Sequence, residues 1–306
     1  MSVRTWKKII TLVVVLTIIS LIAGLVVSKI RYNNLAEEFD DALSNEFIVD
    51  LSQYGNLDET ELEHLFDYLG NLDTNETLEY QSKYSDLYVE NDFEWEDHSD
   101  EKICYLTFDD GPDSDNTARI LDVLKEYNVK ATFFVIYKDY KTERELYKRI
   151  VDEGHTIGVH TASHNYNKIY GSVDAYLSDF ERISEQIEKS TGVKPEIFRF
   201  PGGSINAYNA GIYREIIAEM VRRGYTYYDW NVSSGDAAAS YVSKADIVDN
   251  VLNKNKKLSK KIVLMHDGKG HGTTADALPE IIEGLQKQGY KLEALTKEVE
   301  PVCFGY

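Results

Sequence analysis

The chain has 306 residues, 43% of them apolar, with 33 Lys or Arg against 52 Asp or Glu, a formal net charge of -19, two cysteines, 19 glycines and 5 prolines. That is enough apolar material for one large domain or two small ones, and it excludes a wholly disordered chain, a disulfide-dense scaffold and a collagen-like or low-complexity class. So negative a chain repels phosphate backbones, and no nucleic-acid partner is expected.

Ile9 opens and Val27 closes a run of nineteen residues without a charge, long enough to cross a bilayer as a helix. Arg4, Lys7 and Lys8 before it, against Lys29 and Arg31 after it, lean weakly toward a cytoplasmic N-terminus. The run is apolar all round, unlike an amphipathic core helix, and lacks the short apolar region and A-x-A site of a cleaved signal peptide. Residues 1–31 are therefore expected to be a cytoplasmic tip and signal anchor in the lipid bilayer. The rest of this single-pass cell-membrane protein would then be extracytoplasmic.

The net charge divides unevenly: +5 over 1–31, -21 over 32–101 and -3 over 102–306. Within the acidic stretch Thr60 and Glu63 form a capping box, and Leu62, Leu65, Phe66 and Leu69 follow at helical spacing. Residues 32–101 read as an acidic, partly helical stalk. It serves either as a solvated spacer or as a small module that engages a partner or cations.

From residue 102 onward, strand patterns at 103–108, 131–137, 156–160, 196–201, 225–231, 262–266 and 290–295 alternate with helical ones such as 116–127, 174–190, 212–223, 246–252 and 279–288. Gly154, Gly192, Gly224 and Gly289 each stand just before a strand, where helices end. This alternation predicts an α/β fold over 102–306, either a distorted (β/α) barrel of about seven parallel strands or an open parallel sheet.

The chemically interesting residues fall at the ends of those strands, the edge where parallel α/β folds build sites. Asp109 and Asp110 end the first. Alone they read as a polar turn, but their diverging side chains could also let one bind a metal while the other reaches a water on it. His160 and His164, four residues apart, would face one way if their stretch made a helical turn. With Asp110 they give three metal ligands and an open position, the pattern of a catalytic zinc site. Asp229 and Asn231 end the fifth strand. His266 ends the sixth, followed by Asp267, and is either a satisfied core histidine or a general acid. Arg199, between Phe198 and Phe200 and ahead of Gly202 and Gly203, reads as a surface ion-pair residue or as the group that orients a carboxylate.

Together these segments resemble the polysaccharide deacetylase family with the NodB-type homology domain, over about 102–297. Its five motifs occur in order: Thr107-Phe108-Asp109-Asp110-Gly111-Pro112, His160-Thr161-Ala162-Ser163-His164, Phe198-Arg199-Phe200-Pro201-Gly202, Trp230-Asn231-Val232 leading to Asp236-Ala237, and Leu264-Met265-His266. The resemblance implies Asp109 as catalytic base and Asp110, His160 and His164 as ligands of one divalent ion, Zn2+ or another transition metal. It implies Arg199 as the group that positions the base and His266 as the general acid, tuned by Asp236. Pro201, Gly202, Trp230 and Leu264 would line the substrate and oxyanion pocket. Gly202 stands where the family often carries Tyr or Arg, which implies a barer wall, and the family's groove tryptophan after Asp236 is missing.

The implied activity is metal-dependent removal of N-acetyl groups from a cell-wall polysaccharide, with peptidoglycan favoured and acetate released. Another surface or chitin-like glycan is the alternative substrate, and a non-catalytic glycan-binding or scaffold protein on the same fold is the alternative class. Cys104 and Cys303 lie near the first and last strands and would be neighbours in a closed barrel, so they are either a disulfide or two free thiols. Asn75 and Asn231 begin weak glycosylation patterns.

Overall fold

The computed structural model describes residues 78–304 apart from 97, 99, 100 and 240. The expected membrane run at 9–27, the capping-box helix and Asn75 lie outside the described residues. Among these residues no helix is long and apolar enough to cross a membrane. The elements, in chain order, are α1 (Glu79–Lys83), β1 (Ile103–Asp109), α2 (Asn116–Glu126), β2 (Thr132–Ile136), α3 (Lys141–Asp152), β3 (Thr156–Thr161), α4 (Tyr166–Ile169), α5 (Val173–Thr191), β4 (Ile197–Phe198), α6 (Tyr213–Arg222), β5 (Thr226–Tyr227), β6 (Val232–Ser233), α7 (Lys244–Asn253), β7 (Lys260–His266), α8 (Gly272–Lys287) and β8 (Lys291–Glu293).

Every residue of β1 is buried, as suits a central parallel strand covered on both faces. It pairs with β7 along its whole length. Its other edge is shared, β8 taking Ile103–Tyr105 and β2 taking Thr107–Asp109. All pairings are parallel, and the order is β5-β4-β3-β2-β1-β7-β6 with β8 on β1. Among the described residues no pairing joins β5 to β6, so the sheet curls into a distorted half-barrel instead of closing.

Alternation along β1 separates two cores. Cys104, Leu106 and Phe108 face the helices and belong to the large outer cluster. Ile103 and Tyr105 point inward and join Phe134, Ile197, Tyr228, Ile262, Leu295 and Val299 in a small inner cluster. Continuing that inner stripe by two residues reaches Thr107 and then Asp109. On β7 the same step from Ile262 reaches Leu264 and His266. The period of the strands thus carries an apolar inner core upward into the polar end of the barrel.

Several elements differ from the sequence pattern. The strand expected at 225–231 shrinks to Thr226–Tyr227, because the carbonyls of Tyr228 and Asp229 turn to the Arg199 guanidinium at 2.8 and 3.1 Å. The chain then re-enters the sheet as β6, an eighth strand. Helix α3 escapes the pattern because only Leu146, Tyr147 and Ile150 of its residues are buried. Helix α8 starts at Gly272 and runs through Pro279, which the pattern takes for a first-turn proline.

The ordered body also takes in residues from the acidic stretch. Tyr84, Leu87 and Val89 are buried. The Val89 N–H donates to the Arg223 carbonyl at 2.8 Å, and Arg223 Nη1 donates to the Leu87 carbonyl at 3.0 Å and to that of Tyr84. Cys104 and Cys303 are both free. Strands β1 and β8 are indeed neighbours, but Cys303 lies beyond β8 in a tail that crosses to the β5 side, where Asp229 donates its N–H to Val302 and Asp229 Oδ2 accepts from the Phe304 N–H. Asn231 is occupied within the fold, bonding the Lys260 carbonyl and the Ile262 N–H across to β7.

Candidate active site

Arg199 is wholly buried and ties the site to the barrel interior. Its Nη1 donates to Asp109 Oδ1 at 2.9 Å and to Thr107 Oγ1 at 2.6 Å, while Nε and Nη2 reach the carbonyls of Tyr228 and Asp229. The guanidinium also lies 4.4 Å from the centroid of the Phe134 ring. A buried ion pair is tolerated when its remaining donors are satisfied, and here each guanidinium nitrogen has an acceptor. Asp109 Oδ2 is left facing His160 Nε2 at 4.0 Å.

Asp110 departs from the alternation of β1. Its φ of +75° lies in the left-handed region, rare for a residue with a Cβ, as does the φ of +50° at His164. These turns bring Asp110 Oδ1 to 3.5 Å from His160 Nε2 and 3.1 Å from His164 Nε2. That oxygen is nevertheless buried without a hydrogen-bond partner. Leaving such an acceptor orphaned costs roughly 1–3 kcal/mol, and a cation between the three atoms would satisfy all of them. Asp110, His160 and His164 accordingly form a group able to hold a metal ion.

The two histidines meet without the helical turn that their spacing suggests. His160 is on β3, the chain bends, and His164 follows. The bend is clamped by Asp179 of α5, which accepts from the N–H groups of Ala162 at 2.6 Å and Ser163 at 3.1 Å. His160 Nδ1 donates to the Arg199 carbonyl at 2.9 Å, which leaves Nε2 as the free lone pair. Burial pushes the His160 pKa below its ordinary value, with Asp109 and Asp110 only partly opposing it, so the ring is neutral as a metal ligand must be.

Across the mouth, Asp236 holds His266 twice: Oδ1 meets Nδ1 and Oδ2 accepts the His266 backbone N–H, both at 2.8 Å. The Thr274 hydroxyl, in the first turn of α8, donates to the same Oδ2 at 2.8 Å. Burial works against a charged imidazole here, but the Asp236 hydrogen bond and charge outweigh it and raise His266 to about 9. His266 therefore carries a proton at neutral pH. His271 stacks on it with ring centroids 5.1 Å apart.

Of the other expected residues, the Pro201 carbonyl accepts from the Tyr170 hydroxyl at 2.7 Å. Gly202 is exposed with φ +78°, and the wall there is not bare, because a Cβ on Gly202 would come within 2.9 Å of the Tyr166 ring. Leu264 is half-buried below His266 and registers with Thr107 and Ser233. Trp230 is half-buried, edge to face with Phe304 at 4.8 Å. Asp229 stays outside the reactive cluster and clamps the loop after β4, accepting from the Ser204 N–H and hydroxyl. Asp267 is fully buried behind the mouth, takes the Thr117 hydroxyl at 2.5 Å and is pushed by burial to about 7. A Cβ on Gly111 would collide with it, so only glycine fits there.

Over residues 96–226 the chain matches the polysaccharide deacetylase family. It is 35% identical over 210 residues to a peptidoglycan-N-acetylglucosamine deacetylase of Bacillus cereus, covering 67% of this chain and 74% of that one. The chain belongs to the polysaccharide deacetylase family. It is also 30% identical over 215 residues to a peptidoglycan-N-acetylmuramic acid deacetylase of Bacillus subtilis, covering 70% and 74%. The solved catalytic domain of a peptidoglycan N-acetylglucosamine deacetylase from Eubacterium rectale matches with a TM-score of 0.65 at 38% identity, over 69% of this chain and 95% of that one. A polysaccharide deacetylase from Bacillus cereus gives 0.59 at 35% identity, over 66% and 97%. Membership of the polysaccharide deacetylases makes the chain a hydrolase and implies an N-acetylated glycan as substrate.

Four residues that shape this deacetylase's site escape the sequence reading: Tyr166, Asp179, His271 and Thr274. Asp179 did leave a signal, an acid set on the apolar stripe of Tyr176, Phe180 and Ile183. The others sit in ordinary polar contexts, and only the tertiary fold brings them to the mouth.

Proposed function

We propose that the protein removes N-acetyl groups from the amino sugars of peptidoglycan and releases acetate. In this reading the run from Ile9 to Val27 holds it at the cell membrane with the hydrolase domain outside. The chemistry rests above all on the orphaned Asp110 oxygen facing two imidazole nitrogens. Asp110, His160 and His164 would hold one divalent ion, zinc in our reading. When bound, such an ion supplies Lewis acidity toward water and toward the acetamide carbonyl.

The chain's own residues account for the protons. Asp109 takes the proton of the attacking water on Oδ2, the oxygen that Arg199 leaves free, while the Arg199 hydrogen bond to Oδ1 holds the carboxylate in position. His266 gives the proton of its outward nitrogen to the sugar nitrogen as the C–N bond breaks, while Asp236 on Nδ1 holds the ring and stabilises its charge. Pro201, Gly202, Trp230 and Leu264 line the pocket that receives the acetyl group. Peptidoglycan is supported by the names of the relatives, which cover both its N-acetylglucosamine and its N-acetylmuramic acid.

The decisive assay is acetate release from N-acetylated peptidoglycan fragments and from chitin-like oligomers, with and without chelator. Release from the peptidoglycan fragments that stops with chelator and returns with zinc is expected. Release that survives chelation, or glycan binding with no release at all, would overturn the proposal. Deleting residues 1–31 should move the activity from the membrane fraction to the soluble one.

A further inference from the structure

The mouth has an aromatic side that the proposed chemistry leaves unused. The Tyr166 ring, half-buried, meets His164 edge to face at 5.4 Å and 87°. Tyr170 backs it at 6.0 Å, and the exposed backbone of Gly202 faces it closely enough that no side chain fits between them. It also meets Tyr208, 4.9 Å away and tilted by 55°.

Tyr208 is 59% exposed, one of the few large apolar side chains left in solvent among the described residues. Its backbone is nonetheless held in a hydrogen-bonded turn. The Tyr208 N–H donates to Asn206 Oδ1 at 2.9 Å, and the Asn206 amide donates to the carbonyls of Pro201 at 3.2 Å and Gly203 at 3.1 Å. The turn that forms one wall of the pocket therefore also carries the exposed ring.

An aromatic pair, Tyr166 half-buried and Tyr208 exposed, one ring's breadth from a metal-ligating histidine, suits the apolar face and hydroxyl rim of a pyranose. The electron-rich ring face attracts the sugar's C–H groups, and ordering a tyrosine costs little entropy. We propose that Tyr166 and Tyr208 form a subsite for the sugar next to the one being deacetylated, so that the enzyme reads a glycan chain and not an isolated sugar. This deepens, and rests on, the deacetylase reading of the site.

The test uses N-acetylglucosamine oligomers of two to five sugars and follows acetate release by the wild type, Tyr208→Ala and Tyr208→Phe. The preference for the pentamer over the dimer, as a ratio of kcat/KM, should fall about fivefold in Tyr208→Ala through a rise in the pentamer KM. Tyr208→Phe, which keeps the ring face, should restore it. An unchanged ratio in Tyr208→Ala, or a loss confined to kcat, would overturn the subsite. A wild type that releases acetate from no oligomer and from no peptidoglycan fragment would overturn the deacetylase reading as well, and no Tyr208 variant is needed to see it.

Discussion

Two groups of one aspartate and two histidines face each other across the mouth, Asp110 with His160 and His164, and Asp236 with His266 and His271. In composition they are the same. In the first, the carboxylate oxygen nearest the imidazoles has no hydrogen-bond partner, and the His160 ring is held neutral. In the second, both Asp236 oxygens are hydrogen-bonded, and the imidazole on one of them is held protonated. The satisfaction of the carboxylate, more than the choice of residues, separates a place for a cation from a place for a proton.

The hardest break of that comparison is Asp110→Ala. It should abolish metal binding, measured as metal content per chain, and lower acetate release by more than about a thousandfold. The metal-free variant should denature no more easily than metal-free wild type, since it removes an orphaned acceptor. His266→Ala should instead keep its metal and lose about 10²–10⁴ in rate, the contribution of a general acid.

Asp236→Asn sharpens the contrast through pH. In the wild type, His266 near 9 should hold the basic limb of the rate profile at about that pH, and removing the Asp236 charge should bring it toward the 6.5 of a free histidine. The same shift acts on stability. The folded pKa lies above the unfolded one, so the stabilisation is complete below about 6.5 and is lost as pH rises through about 9. It is worth up to about 3 kcal/mol and should appear as a wild-type denaturation midpoint that falls across that window. The smallest effect belongs to His271→Ala, with metal content unchanged and the rate altered about twofold. A loss of bound metal in that variant would erase the distinction between the clusters.

Much of this site is legible in the linear chain because strand period and strand ends are local properties. Asp109, Arg199 and His266 can be placed at one edge from β-branched and aromatic runs alone. The reach of Asp110 depends on a left-handed turn, and that of His164 on a bend clamped from α5, and neither leaves a pattern in nearby residues. The fold shows the same division. The long strands β1, β3 and β7 follow their hydrophobic runs, whereas β5 stops short where the guanidinium from β4's end takes the carbonyls of Tyr228 and Asp229 just beyond it. Helix α3 was hidden by its narrow apolar stripe, and the start of α8 by a proline that its buried first turns tolerate.

That guanidinium has a consequence for anyone collecting inactive variants of this protein. Arg199 reaches Thr107 and Asp109 of β1 and the chain after β5 with one side chain, entirely out of solvent. Its replacement would leave a buried carboxylate unpaired, a defect of about 3–5 kcal/mol in a domain whose whole margin is on the order of 5–15. In a genetic screen such alleles should therefore surface as missing or degraded protein, while changes at Asp110 should accumulate as intact, silent enzyme. Cellular abundance, with no kinetic measurement, would then separate the residues that build the catalytic mouth from those that work in it.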